Sequence, residues 1–255
     1  IQRYGMVSKN EIADGDNINV EFGKELREYQ TNIVDIYMKY VQTPICNGSE
    51  TNGGGGILEV PCGRGKTVMA LKIVSLLHKK TLIIVHKEFL MNQWIERINE
   101  FLPNVRIGKI QGPVFDIVDK DIVIGMMQTL YNKEYSPNTF SSFGLTIIDE
   151  VHRIGSEQFS RTLIKTVTPY MLGISATVDR KDQLTRILYM FIGEKIYTEQ
   201  RSDDDPVQVR AIKYISNDTE FNNVEVDYRG NTKYSTMITK LCAFNDRSNF
   251  ILRVV

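Results

Sequence analysis

From Lys24 to Gln42 the apolar residues Leu26, Tyr29, Ile33, Ile36, Tyr37 and Tyr40 recur at helical spacing, and this predicts an amphipathic helix. Beyond residue 56 the pattern changes to short apolar runs alternating with longer helical periods. The runs predict strands at Ile57–Val60, Thr81–Val85, Arg106–Ile110, Asp121–Gly125, Leu145–Asp149 and Met171–Ser175. Between them, helices are predicted at Thr67–His78, Glu88–Leu102, Glu157–Thr166 and Lys181–Phe191. Strands that are apolar throughout, separated by helices, imply an α/β fold: a mostly parallel, doubly wound sheet with helices on both faces. The stretch Asn47–Gly56 carries no side chain able to build a core and reads as a flexible loop insertion ahead of the first strand. A polar, acidic stretch, Arg201–Pro206, reads as a linker. Beyond it a strand at Val207–Ile215 and helices at Lys233–Phe244 and Arg247–Val255 are expected, in a segment too short for a second full domain.

Composition narrows the function. Of 255 residues, 42% are hydrophobic and 24% charged, the balance of a globular protein rather than a disordered one. The 31 basic and 31 acidic side chains cancel, so any contact with nucleic acid must come from a local patch, not a global field. Cys46, Cys62 and Cys242 are too few and too dispersed for a disulfide framework or a zinc knuckle, which points to a reducing compartment. No run approaches the roughly 18 apolar residues of a membrane span. With no signal peptide and no initial Met, the chain reads as a piece of something longer.

Three strand ends carry candidate chemistry. The strand at Ile57–Val60 runs into Pro61-Cys62-Gly63-Arg64-Gly65-Lys66-Thr67, followed at once by a helical pattern. Glycines at 63 and 65 let the backbone turn its N–H groups toward oxyanions, and the helix adds the positive end of its dipole. Lys66 would reach the β- and γ-phosphates and Thr67 would complete a Mg²⁺ shell. The strict phosphate-loop pattern wants glycine where Val60 stands, so a helix start with a chance Gly-Lys-Thr is the competing account. The second strand end is Asp149-Glu150-Val151-His152. A carboxylate there would hold Mg²⁺ (Asp149) and its neighbour would activate water (Glu150); the plainer alternative is a strand opening into a solvated loop. The third is Ser175-Ala176-Thr177, uninformative alone. Order joins the three: Lys66 to Asp149 is 83 residues and Asp149 to Ser175 is 26.

Together these stretches resemble motifs I, II and III of the superfamily 2 helicases, over roughly Leu26 to Thr198. The resemblance implies a RecA-like P-loop NTPase domain, the first of two in the motor, that uses ATP and Mg²⁺. It implies that Ser175 and Thr177 couple nucleotide state to nucleic-acid grip and that His152 links the γ-phosphate to motif III. Leu26-Arg27-Glu28-Tyr29-Gln30 is similar to the upstream element whose Gln reads adenine; the competing account is that Arg27 and Gln30 form the wet face of the first helix. Val85–Glu88 with Gln93-Trp94 is similar to motif Ia, and Ile124–Leu130 to a later strand-binding motif. These imply Lys87, Gln128, Thr129 and Arg180 at the nucleic-acid backbone. Trp94, the only Trp, and Lys87 have plainer roles as a core residue and a solvated charge. Asp-Glu-Val-His, Thr177–Asp182 and Phe191–Tyr197 are most similar to the XPB-like group, although Lys181 stands where that group has Glu.

The resemblance implies residues 1–23 as a lead-in, 24–200 as the ATP-binding domain, 201–206 as the linker and 207–255 as the start of a truncated second RecA-like domain. It favours DNA over RNA as partner, no membrane, and an intracellular setting: nucleus, viral replication site or virion, or bacterial cytoplasm. A P-loop phosphotransferase and a binding module with a vestigial ATP site stay open as rivals.

Overall fold

The computed structural model describes residues 12–42, 54–150, 156–176, 185–199 and 211–254. Two compact units divide between Arg201 and Ser202.

The first unit is built on eight strands. They are β1 (Gly54–Glu59), β2 (Thr81–Val85), β3 (Ile107–Gln111), β4 (Val114–Phe115), β5 (Ile122–Met126), β6 (Leu145–Asp149), β7 (Tyr170–Ser175) and β8 (Lys195–Thr198). Their order across the sheet is β4-β3-β5-β2-β6-β7-β1-β8, and every pairing is parallel except the β3–β4 hairpin. The helices are α1 (Glu28–Gln42), α2 (Lys66–Leu77), α3 (Glu88–Phe101), α4 (Met127–Asn132), α5 (Ser156–Lys165) and α6 (Thr185–Phe191).

The side-chain period of two along each strand sorts the core onto two faces. Ile83 and Val85 of β2 pack with Ile33 and Tyr37 of α1, Met69 and Ile73 of α2, and Trp94 and Ile98 of α3. Leu82 and Ile84 face the other way, toward Met127 and Leu130 of α4, Phe159 and Leu163 of α5, and Leu188 of α6. Strands β2 and β6 are buried along their whole length because both faces are covered. The expected doubly wound α/β architecture is therefore present.

Several boundaries differ from expectation. Helix α1 starts at Glu28 rather than Lys24 because of a cap: the Gln30 side chain reaches back and its Oε1 accepts from the Arg27 N–H at 3.0 Å. Tyr37 Oη then donates to the Met171 carbonyl at 3.0 Å, which fastens α1 to β7. The glycine run is the larger correction. Gly54, Gly55 and Gly56 belong to β1, while residues 47–53 lie outside the described set. A Cβ on Gly55 would sit 1.9 Å from the Ile192 carbonyl oxygen, and one on Gly193 (φ +116°) would sit 2.0 Å from the Gly55 carbonyl oxygen. The glycines are strand residues at a close backbone crossing, not a spacer. Helix α6 was expected from Lys181, and residues 181–184 lie outside the described set.

The second unit contains α7 (Thr219–Asn222), α8 (Tyr234–Ala243) and α9 (Asn245–Val254), with an isolated antiparallel bridge, Val226 to Thr232, in the segment between α7 and α8. The strand expected at Val207–Ile215 is not formed over 211–215, and 207–210 lie outside the described residues. No helix among the described residues is long and apolar enough to cross a membrane.

Candidate active site

Every described motif residue lies at or just beyond the carboxyl end of a parallel strand, apart from Arg27 and Gln30 at the start of α1. The strand order splits them into neighbouring groups. Strands β6, β7 and β1 carry Asp149 and Glu150, Ser175, and Pro61–Thr67, while β5 and β2 carry Gln128, Thr129 and Lys87.

The turn after β1 is the candidate phosphate cradle. Gly63 (φ +84°) and Gly65 (φ +81°) hold left-handed conformations that favour glycine. A Cβ on Gly63 would meet nothing within 4 Å, so that side of the loop is open. Gly65 starts α2 without any side-chain cap, which leaves the first N–H groups of the helix for an outside acceptor. Lys66 Nζ lies 3.1 Å from Glu150 Oε1, an ion pair made across 84 residues by two half-buried side chains. A cavity of about 550 Å³ opens here, lined by Gln30, Gly63, Gly65, Lys66, Thr67 and Glu150 among others.

The loop is fixed from outside by contacts that the sequence did not suggest. Tyr29 Oη and Gln30 Nε2 both donate to the Arg64 carbonyl at 3.1 Å. The Arg64 guanidinium sits 4.1 Å above the Tyr29 ring and pairs with Glu199, just after β8. Gln30 is thus buried against the phosphate loop rather than on a wet helix face, and Arg27 is exposed at the helix cap beside the cavity. Pro61 leads into the loop, and Cys62 is exposed at the cavity wall.

Asp149 and Glu150 follow β6. Glu150 takes a left-handed conformation (φ +53°), a strain of roughly 1–3 kcal/mol for a residue with a Cβ, and its N–H donates to the Ile174 carbonyl at 3.0 Å. The Ser175 carbonyl, one residue on, accepts from the Val60 N–H at 2.8 Å, so the end of β7 holds both the acidic turn and the phosphate loop. Ser175 itself is fully buried. Burial pushes the Asp149 carboxyl above the usual carboxylate range and the neighbouring Glu150 charge adds to this. The hydrogen bond from Trp94, and the Lys66 charge after it, work in the opposite direction. Trp94 Nε1 donates to Asp149 Oδ2 at 2.9 Å. A recess of about 320 Å³ beside this pair is lined by Thr67, Gln93, Trp94, Glu96, Arg97 and Asp149. Among the described residues no three His, Cys, Asp or Glu cluster as metal ligands. One hydroxyl and one carboxylate suit Mg²⁺, which keeps several waters and takes its other oxygens from phosphate.

Lys87 is exposed at the start of α3, its Nζ 5.8 Å above the Phe89 ring. Gln128 is exposed on α4, and the Thr129 hydroxyl accepts from the Gly112 N–H at 3.0 Å. His152, Thr177, Arg180 and Lys181 lie outside the described residues. Arg97 and Phe101 also line the larger cavity; their spacing from Trp94 along α3 was the one signal that could have grouped them. A further cavity of about 670 Å³ in the second unit, among Asp218, Phe221, Lys240 and Phe244, contains no motif residue.

A site of this kind defines a P-loop nucleotide-binding domain, and comparison with known proteins narrows it. The family model described as "Type III restriction enzyme, res subunit" matches residues 23–180, and the chain belongs to that helicase family. A putative ATP-dependent RNA helicase of Acanthamoeba polyphaga mimivirus is 34% identical over 260 residues, covering 100% of this chain and 49% of that protein. The DNA 3'-5' translocase XPB2 of Sulfurisphaera tokodaii is 33% identical over 194 residues, covering 75% of this chain and 38% of that protein. Among solved structures, the UvsW helicase from bacteriophage T4 matches with a TM-score of 0.55 at 21% identity, over 74% of this chain and 64% of that one. The chain thus spans half or less of these two curated relatives.

Proposed function

We propose that this chain is the ATP-binding half of an intracellular DNA helicase or translocase, and that a second RecA-like domain completes the motor. The observation that carries this reading is the meeting of Lys66 and Glu150 at 3.1 Å over a glycine-lined cradle. An arriving γ-phosphate would draw Lys66 away from Glu150 and would then have the cation against its oxygens and the general base beside it. The phosphate loop, residues 61–67, binds the triphosphate, and Gln30 and Arg27 border the place for the base. Thr67 and Asp149 would hold Mg²⁺, which would neutralise charge developing on the phosphates. Glu150 orients and deprotonates the attacking water. Ser175 and Thr177, with His152, pass the nucleotide state on. Lys87, Gln128, Thr129 and Arg180 contact the strand backbone, where contacts position without reading sequence.

DNA is favoured by similarity to a protein named as a DNA translocase, and RNA by the viral relative named as an RNA helicase. The test is ATP turnover of the full-length protein with duplex DNA, single-stranded DNA or RNA, beside Glu150→Gln. DNA stimulation that falls by about 10²–10⁴ in the variant, with nucleotide binding kept, is the expected result. Stimulation by RNA alone moves the assignment to RNA, and stimulation by neither removes the motor reading. Residues 1–255 alone should turn over ATP weakly, and full DNA-stimulated activity in that piece would contradict the need for a second domain.

A further inference from the structure

We infer that Trp94 is a positioning residue for metal-bound nucleotide: its indole N–H fixes the Asp149 carboxylate in the orientation that Mg²⁺ requires. This rests on the proposed ATP site and adds to it a residue outside the three motifs.

The geometry is specific. Trp94 is 1% exposed and locked in the α3 core with Met91 and Ile98, so its ring has little freedom. Its single donor meets Asp149 Oδ2 at 2.9 Å across 55 residues. Asp149 is itself only 7% exposed, and this is the one side-chain hydrogen bond it makes among the described residues. The carboxylate is therefore held at Oδ2 by a side-chain donor whose own ring is fixed by packing. Mg²⁺ demands near-ideal octahedral geometry, so a carboxylate free to rotate would serve it poorly. Partners that orient a metal ligand from behind typically change metal affinity by about 10–100-fold when removed. The recess that Trp94 shares with Thr67 and Asp149 is where such an ion would sit.

The competing account is packing: a buried indole N–H needs some acceptor, and Asp149 is the nearest. The two accounts differ in what Mg²⁺ contributes. In Trp94→Phe, which keeps an aromatic ring and deletes the donor, ADP affinity should be measured with Mg²⁺ and with EDTA. A packing role lowers both affinities together. The positioning role lowers the ratio of the two, by about tenfold or more. The wild-type chain supplies a second measurement that needs no variant, because Trp94 is its only Trp. Its fluorescence should change with Mg²⁺ and ADP together, remain unchanged with ADP in EDTA, and lose the response in Asp149→Asn. An unaltered Mg²⁺ ratio in Trp94→Phe, or a fluorescence response indifferent to Mg²⁺, overturns the role of Trp94 while leaving the ATP site intact. No ADP binding by the wild type removes both.

Discussion

Substituting Gly55 by Ala tests whether the glycine run is structural. Gly55 pairs with Met171 in the β1–β7 ladder, and an added Cβ would lie 1.9 Å from the Ile192 carbonyl oxygen and 2.8 Å from Met171 Cβ. Real Cβ contacts do not fall below 3.0 Å, and the first obstacle is backbone, which cannot rotate aside as a flexible side chain would. Relief would require the turn after α6 to retreat from β1, and that turn also accepts the Ile57 N–H at the Glu194 carbonyl (2.9 Å). Overpacking costs about 1–3 kcal/mol, here at the upper end, and the smaller unfolded-state entropy of Ala returns roughly 0.4–1 kcal/mol. A net loss of about 2 kcal/mol in a unit of this size lowers Tm by roughly 4–8 °C. Gly63→Ala is the matched control. Its φ of +84° strains Ala by about 1–2 kcal/mol, but its Cβ meets nothing. It should lose less Tm than Gly55→Ala while weakening nucleotide binding. Thermal unfolding followed by far-UV circular dichroism, with nucleotide affinity in parallel, reads both. A Gly55→Ala protein as stable as its parent would refute the close-crossing argument.

Two further predictions concern carboxylates. Burial raises the Asp149 pKa, so its contribution to stability is present below the ordinary Asp value of about 3.9 and is lost as pH rises through the folded value. Asp149→Asn should therefore raise Tm at neutral pH in metal-free buffer, while abolishing turnover when Mg²⁺ is supplied, and the gain in Tm should vanish in acid; an equal gain at all pH values would contradict burial as the cause. Asp121 is the opposite case: its hydrogen bonds from Arg106 (Nε, Nη2 and backbone N, 2.6–3.0 Å) hold its pKa below the usual range. Asp121→Ala should cost about 1–2 kcal/mol at neutral pH, discounted because the guanidinium is 60% exposed, and the deficit should disappear as pH falls through the folded value. Urea unfolding at neutral and acid pH reads this change.

Legibility followed the range of the forces involved. Strands β2 and β6 have the limits that their apolar runs predict, since burial on both faces writes itself into consecutive residues. The start of α1 was misplaced because the Gln30 cap, not periodicity, decides it. The glycine run was misread because a glycine chosen for close approach looks the same in sequence as one chosen for flexibility. β4, at two residues, and α4, at six, are too short to show a period. The motifs around Lys66, Asp149 and Ser175 were visible through order and spacing. The links from Arg64 to Glu199 and from Trp94 to Asp149 span 135 and 55 residues and leave no local trace.

The two carbonyls at the end of β7 have a consequence for how a motor could use its fuel. Because Ile174 holds Glu150 and Ser175 holds Val60, the distance from the phosphate loop to the acidic turn is set by strand pairing when the chain folds. The backbone of the cradle is therefore in place before nucleotide arrives, and the rearrangement left to binding is of side chains such as Lys66, which must leave Glu150. Less of the binding free energy would then be spent on ordering the loop. Loosening the last turn of that strand would shift cation and base together, and would slow hydrolysis without touching either one.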